Sequence, residues 1–562
     1  MPPIVESVVQ EEDSVLIEPT PRPVLCVAAL TALAAGCTAN SRAADREAAR
    51  ILAGEGRAVA AARDAALVFP RPAGPGEEEG PVGDGRDPPV PVPEVMTLDD
   101  ALRIATRANR EYRGRAEALT LAALSLSGER FRFSPRLAAA ISYLVADGKG
   151  TERADSPGAT ASASQVLPTG GTLTVSGSES GTDARAPGGP YDSATSVEAA
   201  LRQPLLRGAG WEASHESLTQ AQRAVVYALR DFARYREQFL IDVTRRYYDV
   251  VSKRFFLRNA EDRHAAVEFQ ARRTQALFEI GSQDKIEVFR AEADLRRVDI
   301  DLKDARDGLS LAEDQFKVFL GLPTTVRFAY AGDPPPFRPV DVSLASAVEA
   351  ALANRFDLAN AREQVEDAER ALRIARRNLL PDLALEASWR GDSGASRGFL
   401  HSPRDAESSS VGLFLEVPLQ QTLERNALRS AEIALDRQRR DYERSRDDVV
   451  VEVRDTLNRL RHAASSLLVD QPEILRLEEG RLEKARLDFE AGRIGNRDVL
   501  EAQQALQGAR DQTVRRAVDY EIARLGLERA MGTLEVGDDG RGRGLRTPPA
   551  AAAGTTGKEE GP

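Results

Sequence analysis

A mainly α-helical protein with a β-barrel part, laid out twice along the chain, is the fold class this sequence predicts. Three observations lead there. Two stretches nearly repeat each other, long segments carry apolar residues at alternating spacings of three and four, and short β-like stretches interrupt those segments at equivalent places. An internal repeat calls for two similar halves standing side by side.

The repetition is clearest between residues 278–321 and 489–532, at an offset of 211. It superposes Phe278 on Phe489, Gly281 on Gly492, Glu287 on Asp498, Val288 on Val499, Ala291 on Ala502 and Gly321 on Gly532. Upstream, Leu98, Ala101 and Ala105 open a helix that leads to Ser134-Pro135-Arg136-Leu137. Leu344, Ala347 and Ala351 open another that leads to Leu380-Pro381-Asp382-Leu383, at an offset of 246. The unequal offsets place a length difference between the blocks. The predicted halves run over 96–336 and 337–534.

Aromatic residues are only 5% and charged residues 29%, which suits long solvated helices with narrow apolar seams. The net charge of −12, with no basic stripe, argues against a nucleic-acid binder. Four scattered histidines and two cysteines leave no metal cluster and no disulfide framework, and the histidines read as surface residues. No cofactor site, nucleophile motif or phosphate loop is evident, so no enzyme is expected.

The N-terminus reads as an export signal over 1–37. Val24 to Ala35 is apolar but shorter than the ~20 residues that a spanning helix needs. It ends Leu33-Ala34-Ala35-Gly36-Cys37, small residues before a cysteine as in a bacterial lipobox, which makes Cys37 the lipidation candidate. Residues 38–95 read as a Pro/Gly/acidic tether and 535–562 as a disordered tail. No apolar run long enough to span a bilayer occurs elsewhere, so a membrane crossing would have to be a closed β-barrel.

Leu295, Val298, Leu302, Ala305, Leu309, Ala312, Phe316 and Phe319 form a heptad seam, which predicts pairing with neighbouring helices. Val225, Leu229, Phe232, Phe239, Val243 and Val250 mark another. Leu506, Ala509, Tyr520, Ala523, Leu527 and Ala530 continue the pattern in the second half, with a lapse at Thr513 and Arg516. No proline occurs between Pro204 and Gly281, and nearly 80 helical residues would be roughly 110 Å long. Such a helix suits a tube crossing a wide compartment.

Strands are expected over 137–145, 193–202, 382–389 and 409–417, with an extra hairpin over 160–180 in the first half only. Four to six strands cannot close a membrane barrel, so several chains must contribute. Gln203-Pro204-Leu205 and Val417-Pro418-Leu419 follow the strand pairs. Proline suits the first turn of a helix, so Pro204 and Pro418 are read as strand-to-helix junctions.

With these pieces in order, the chain over about 96–534 resembles the TolC family of outer-membrane efflux proteins. The stretch from Phe489-Glu490-Ala491-Gly492 to Asp498-Val499-Leu500-Glu501-Ala502, its partner around Gly281, Gln203-Pro204-Leu205 and Leu380-Pro381-x-Leu383 carry the resemblance. It implies a homotrimer in the outer membrane of a diderm bacterium. Strands would share one barrel, and helices would form a periplasmic tube docked on an adaptor protein and an inner-membrane transporter. Cargo would pass through unaltered, in efflux or type I secretion. Gly281, Gly492 and Gly495 would lie at the helix tips that meet the adaptor. Asp498 and Glu501, three residues apart on one helix face, would line an acidic periplasmic gate, with Glu287 helping to latch it. Where familiar members carry a tyrosine and an arginine in the second tip, this chain has Phe489 and Ile494, so its latch must differ. The alternative is a periplasmic coiled-coil adaptor or scaffold without a barrel, which leaves the paired strands and the repetition unexplained.

Overall fold

The computed structural model describes residues 41–63, 91–148, 151–184, 192–393, 406–491, 493–537 and 540–541. Helix α1 (Ser41–Arg63) comes first, then β1 (Val95–Met96), α2 (Leu98–Ala108) and α3 (Arg110–Arg132). Four strands follow: β2 (Arg136–Gly148), β3 (Thr151–Val166), β4 (Thr172–Ala184) and β5 (Asp192–Pro204). A short α4 (Trp211–Ser214) leads into the long helix α5 (Glu216–Glu279), and α6 (Lys285–Leu320) returns. The second half has β6 (Ala329–Tyr330), α7 (Leu344–Asn354), α8 (Phe356–Arg377), β7 (Asp382–Asp392) and β8 (Ala406–Glu416). It ends with α9 (Thr422–Ser465), a π-helical turn (Ser466–Asp470), α10 (Gln471–Glu490) and α11 (Asn496–Met531).

The two halves use the same local devices. Thr97 caps α2 by accepting from the Asp100 N–H at 3.1 Å, and Ser343 caps α7 by accepting from the Ser346 N–H at 3.2 Å. Each helix then breaks at one extended residue, Asn109 and Arg355, which stand at the offset of 246. The Asn109 amide donates to the Phe319 carbonyl at 2.6 Å, and the Arg355 guanidinium reaches the Ala530 carbonyl at 3.4 Å. Those carbonyls stand at the other offset, 211. The helices that carry them end at Gly321 and Gly532, both left-handed, with φ of 82° and 67°. Glycine supplies that conformation without a Cβ clash.

The seams face inward. Val298, Leu302, Ala312 and Phe316 are buried on α6, and every residue of the Val225–Val250 set is buried on α5. The main core lies midway along the helices, where α1, α2, α3, α5 and the end of α6 converge on Phe232, Phe239, Tyr247 and Phe316. A parallel pair, β1 with β6, straps this region. Tyr247 donates to the Met96 and Ala331 carbonyls, and Arg254 donates to the Tyr330 carbonyl at 2.7 Å. A second core joins α7, α9 and α11 around Val453 and Leu527.

Several expectations are corrected. Part of the expected tether, residues 41–63, is a helix whose Ala48, Ile51, Leu52 and Val59 are buried against the main core. The long helix starts at Glu216 rather than at Pro204, because Gly208 and Gly210 take φ of 74° and 86° and break the chain path. Its 64 residues still span roughly 96 Å. Pro204 is the last residue of β5, opposite Ala384, and Pro418 lies between β8 and α9, so neither sits in a helical first turn. The expected tail begins too early, since buried Arg236 donates to the Val536 carbonyl at 2.9 Å. His215 is only 5% exposed and so is not a surface residue. Cys37, Gly492 and His401 lie outside the described residues.

The π turn was not foreseen, although Pro472 signals it. Proline removes one N–H and clashes with the carbonyl four residues back, which a wider turn relieves. Buried Gln471 holds the bulge by donating to the Ala509 carbonyl at 2.7 Å.

A Cβ at Gly321 would overlap the Ala108 carbonyl at the first break. Gly321→Ala is expected to cost at least about 1–2 kcal/mol from the left-handed backbone alone. Thermal unfolding should show a lowered midpoint, whereas Gly308→Ala, at an ordinary helical position, should not lower it.

Candidate functional site

Three regions carry the functional geometry: a two-faced strand wall, the elbow joining it to the helices, and the helix tips. The wall is one antiparallel sheet in the order β2-β3-β4-β5-β7-β8. The expected strands are all present with longer bounds, and the extra hairpin is β3–β4.

Residues opposite one another in a ladder share a face. One row reads Leu137, Ala163, Val175, Ala199, Trp389 and Ser409 across the six strands. The adjacent row, on the other face, reads Arg136, Ser164, Thr174, Ala200, Ser388 and Ser410. Apolar residues therefore collect on one face and hydroxyls on the other. The hydroxyl face also holds the charges that join the halves. Arg202 faces Glu386 at 3.3 Å and Arg390 faces Glu198 at 3.9 Å, both between β5 and β7. On the hydroxyl face Ser178 bonds Ser196 at 2.7 Å and Ser388 bonds Ser410 at 2.8 Å. Departures on the apolar face include Gln165, Glu179, Thr195 and Glu407, and on the other face Leu144 and Phe414 on the edge strands. Among the described residues, β2 and β8 have a neighbour on one side only. Their apolar residues are bare, with Leu137 83% and Val411 76% exposed.

At the elbow, two motifs that are separate in sequence meet. The β3–β4 turn at Pro168-Thr169-Gly170-Gly171 sits on the segment after β5. Gln203 donates to the Thr169 and Pro204 carbonyls at 3.1 and 2.8 Å, and its amide oxygen accepts from the Thr169 hydroxyl at 2.6 Å. The Gly210 N–H reaches the Thr169 carbonyl at 3.0 Å, and the Ser214 hydroxyl reaches the Pro168 carbonyl at 3.2 Å. Gly170 has φ of 90°, and a Cβ there would come within 2.6 Å of the Gly208 carbonyl.

His215 lies beside this turn, stacked on Trp211 at 3.6 Å and on Phe133 at 4.3 Å. Its burial favours the neutral ring and lowers its pKa. Trp211, one helical turn ahead, is the signal that would have found it. Glu212 closes the elbow by accepting two bonds from Arg373 of α8 at 2.8 and 2.6 Å. The hydrogen bonds from that guanidinium hold the Glu212 carboxyl below its ordinary value.

At the tips, Gly281 is left-handed, with φ of 75°. The Ser282 N–H closes the first turn on the Leu277 carbonyl at 2.8 Å, and the Arg493 N–H closes the second on the Asp488 carbonyl at 2.8 Å. These donors and acceptors also stand at the offset of 211. Gly495 is the N-cap of α11. Asp498 and Glu501 are exposed and one turn apart. Asp498 accepts from the Gly495 N–H at 3.2 Å, so it caps its own helix, and Glu501 pairs with Arg481 of α10 at 2.9 Å. Glu287 pairs with Arg290 on α6. The residues at the departures from the family pattern are engaged elsewhere. Phe489 lies under the Arg273 guanidinium of α5 at 5.5 Å, and Ile494 packs on the small core of Leu482, Ala485, Ala502 and Leu506.

Comparison with known proteins agrees with this layout. Residues 347–533 match the family described as outer membrane efflux protein. The chain is 27% identical over 361 residues to the alkaline protease secretion protein AprF of Pseudomonas aeruginosa, covering 62% of this chain and 71% of that one. It is 24% identical over 345 residues to the outer membrane protein TolC of Vibrio cholerae, covering 60% and 76%. The matched domain and these relatives together support a TolC-family outer-membrane factor. Its fold matches the outer membrane channel CmeC of Campylobacter jejuni with a TM-score of 0.59 at 13% identity, over 77% of this chain and 85% of that one.

The relatives support a channel role and point to the outer membrane, where the two faces of the sheet would have distinct surroundings. The apolar face suits lipid and the hydroxyl face suits water. Val197→Arg, on the apolar face of β5, is expected to cost ~2–4 kcal/mol near the bilayer midplane. Ser196→Arg, one residue away on the hydroxyl face, should cost far less. Denaturant titration of the membrane-embedded protein reads the difference.

The elbow makes a pH prediction. Glu212 has a depressed folded pKa, so near that value the unfolded chain binds more protons and stability rises with pH. The contribution is present above the ordinary glutamate value of about 4.3 and is lost as pH falls through the folded one. Melting followed from pH 6 down to about 3 should show a smaller loss in Glu212→Gln than in the parent.

Proposed function

We propose that this chain is the protomer of a homotrimeric outer-membrane duct. Each copy would give strands to one shared barrel and helices to a periplasmic tube. An adaptor protein at the tips around Gly281, Gly492 and Gly495 would connect it to an inner-membrane transporter, and cargo would pass without chemical change. The observation that carries the reading is an open sheet, apolar on one face and hydroxyl-lined on the other, joined through the elbow to helices of about 100 Å. A soluble scaffold has no use for such a sheet. The parallel caps, breaks and turns support an internal duplication as the origin of the two halves. The relative named for alkaline protease secretion brings polypeptides among the candidate cargoes. Lipidation of Cys37 would add an anchor in the same membrane.

Asp498 and Glu501 would form acidic rings at the periplasmic opening, where a narrow pore focuses their field on passing cations. Arg481 offsets part of the Glu501 charge, so Asp498 is the stronger contributor. Alanine at 498 would also remove the helix cap, so the charge is better tested with Asp498→Asn and Glu501→Gln together. Protein from the outer-membrane fraction should be a trimer that forms cation-selective pores in planar bilayers, and the double variant should conduct with a preference closer to unity. A non-conducting monomer would overturn the duct, and a conducting double variant of unchanged selectivity would overturn the gate alone.

A further inference from the structure

We infer that the β3–β4 hairpin is part of the barrel wall, so that the trimer closes as eighteen strands around a wide, hydroxyl-lined lumen. The inference rests on the trimeric duct proposed above and goes beyond it by fixing how many strands each copy contributes, and with them the bore.

The first half gives four strands to the six-stranded sheet where the second gives two, and the surplus is β3–β4. The hairpin is not an appendage. It lies in the middle of the ladder between β2 and β5, paired to each over eleven or twelve residues. A flap on the outside or a plug in the lumen would leave β2 and β5 free to pair with each other, and here they do not.

The side-chain pattern of the hairpin fits a wall. In β4, Leu173, Val175 and Gly177 fall on the apolar face, while Thr174, Ser176 and Ser178 fall on the hydroxyl face. That is the alternation of a strand with lipid on one side and water on the other. A plug in water would not need the apolar row. The hairpin is also anchored at its helix-side end. Its turn is bonded to Gln203, Gly210 and Ser214, at the level where the barrel meets the helices.

The bore follows from geometry. Strands about 4.8 Å apart and tilted by about 40° close at a backbone diameter of roughly 36 Å for eighteen strands and roughly 24 Å for twelve. Barrels of 16–18 strands leave an aqueous channel. The size limit on cargo would then lie at the helical tips and not in the membrane, and the wide hydroxyl-lined lumen suits hydrated, bulky cargo.

The test is cryo-electron microscopy of the full chain in nanodiscs, with tryptophan reporters in the same protein. The expected image is a three-fold ring of eighteen strands about 36 Å across. With Trp211→Phe and Trp389→Phe as background, brominated lipid should quench the emission of Val175→Trp and leave Ser176→Trp unquenched. A three-fold ring of twelve strands with residues 151–184 inside or outside it would overturn the inference and leave the trimeric duct intact. Equal quenching at 175 and 176 would likewise overturn it. Particles with no closed ring would overturn both.

Discussion

A backbone in hydrocarbon must find all its hydrogen-bond partners within protein, and the rest of this molecule follows from that constraint. The six strands satisfy each other internally but, among the described residues, leave one side of β2 and one side of β8 without a partner strand. Their exposed leucines, valines and aromatics are tolerable beside lipid and costly beside water. In the proposed duct, one copy of the chain is therefore an incomplete object. Its edges ask for further copies, its apolar face asks for a bilayer, and its hydroxyl face becomes the lining of whatever the copies enclose.

In the same proposal the helical body extends that lining away from the membrane, and the elbow makes the two parts continuous. Gln203, Gly208 and Gly210 turn the chain out of the sheet, while the Glu212–Arg373 pair ties the start of the long helix to α8. Farther down, Arg230 bonds both Asn360 and Glu363 of α8. The two halves are thus joined by strands above and by polar pairs below. They also solve the same local problem with different chemistry. A neutral amide at Asn109 and a cation at Arg355 each bind the carbonyl at the same position of the returning helix. The cation then recruits Asp357 and Glu452, which are additional ties within the second half.

Much of this was legible in the sequence because it is periodic. Spacings of three and four placed the seams of α5 and α6, and composition with turn residues placed β2, β5, β7 and β8 within a few residues, while the extra hairpin begins nine residues earlier than expected. The first 23 described residues were missed because apolar positions are few in this Ala/Arg-rich stretch, although Ala48, Ile51, Leu52 and Val59 lie at helical spacing on the face that α1 buries against α3 and α5. The start of the long helix was misplaced because proline is compatible with both a helix start and a strand end, and the left-handed glycines at 208 and 210 decided between them. At the tips, the placement of Asp498 and Glu501 on one helix face followed from their spacing. Their partners did not, since Arg481 belongs to the preceding helix and Arg273 meets Phe489 across the two hairpins. The burial of His215 depends on Phe133, which lies 82 positions away and is brought near only by the fold.

The central claim is that the edge strands find their partners in neighbouring copies. Oxidative cross-linking tests it most directly. Cysteine at Ile141 on β2 would be combined in turn with cysteine at Ser409, Val411, Leu413 and Leu415 on β8, with the parent chain as control. The account predicts covalent dimers and trimers for one register, from protein in native outer membranes. Absence of intermolecular products at every register, or cross-links formed only within one chain, would contradict it.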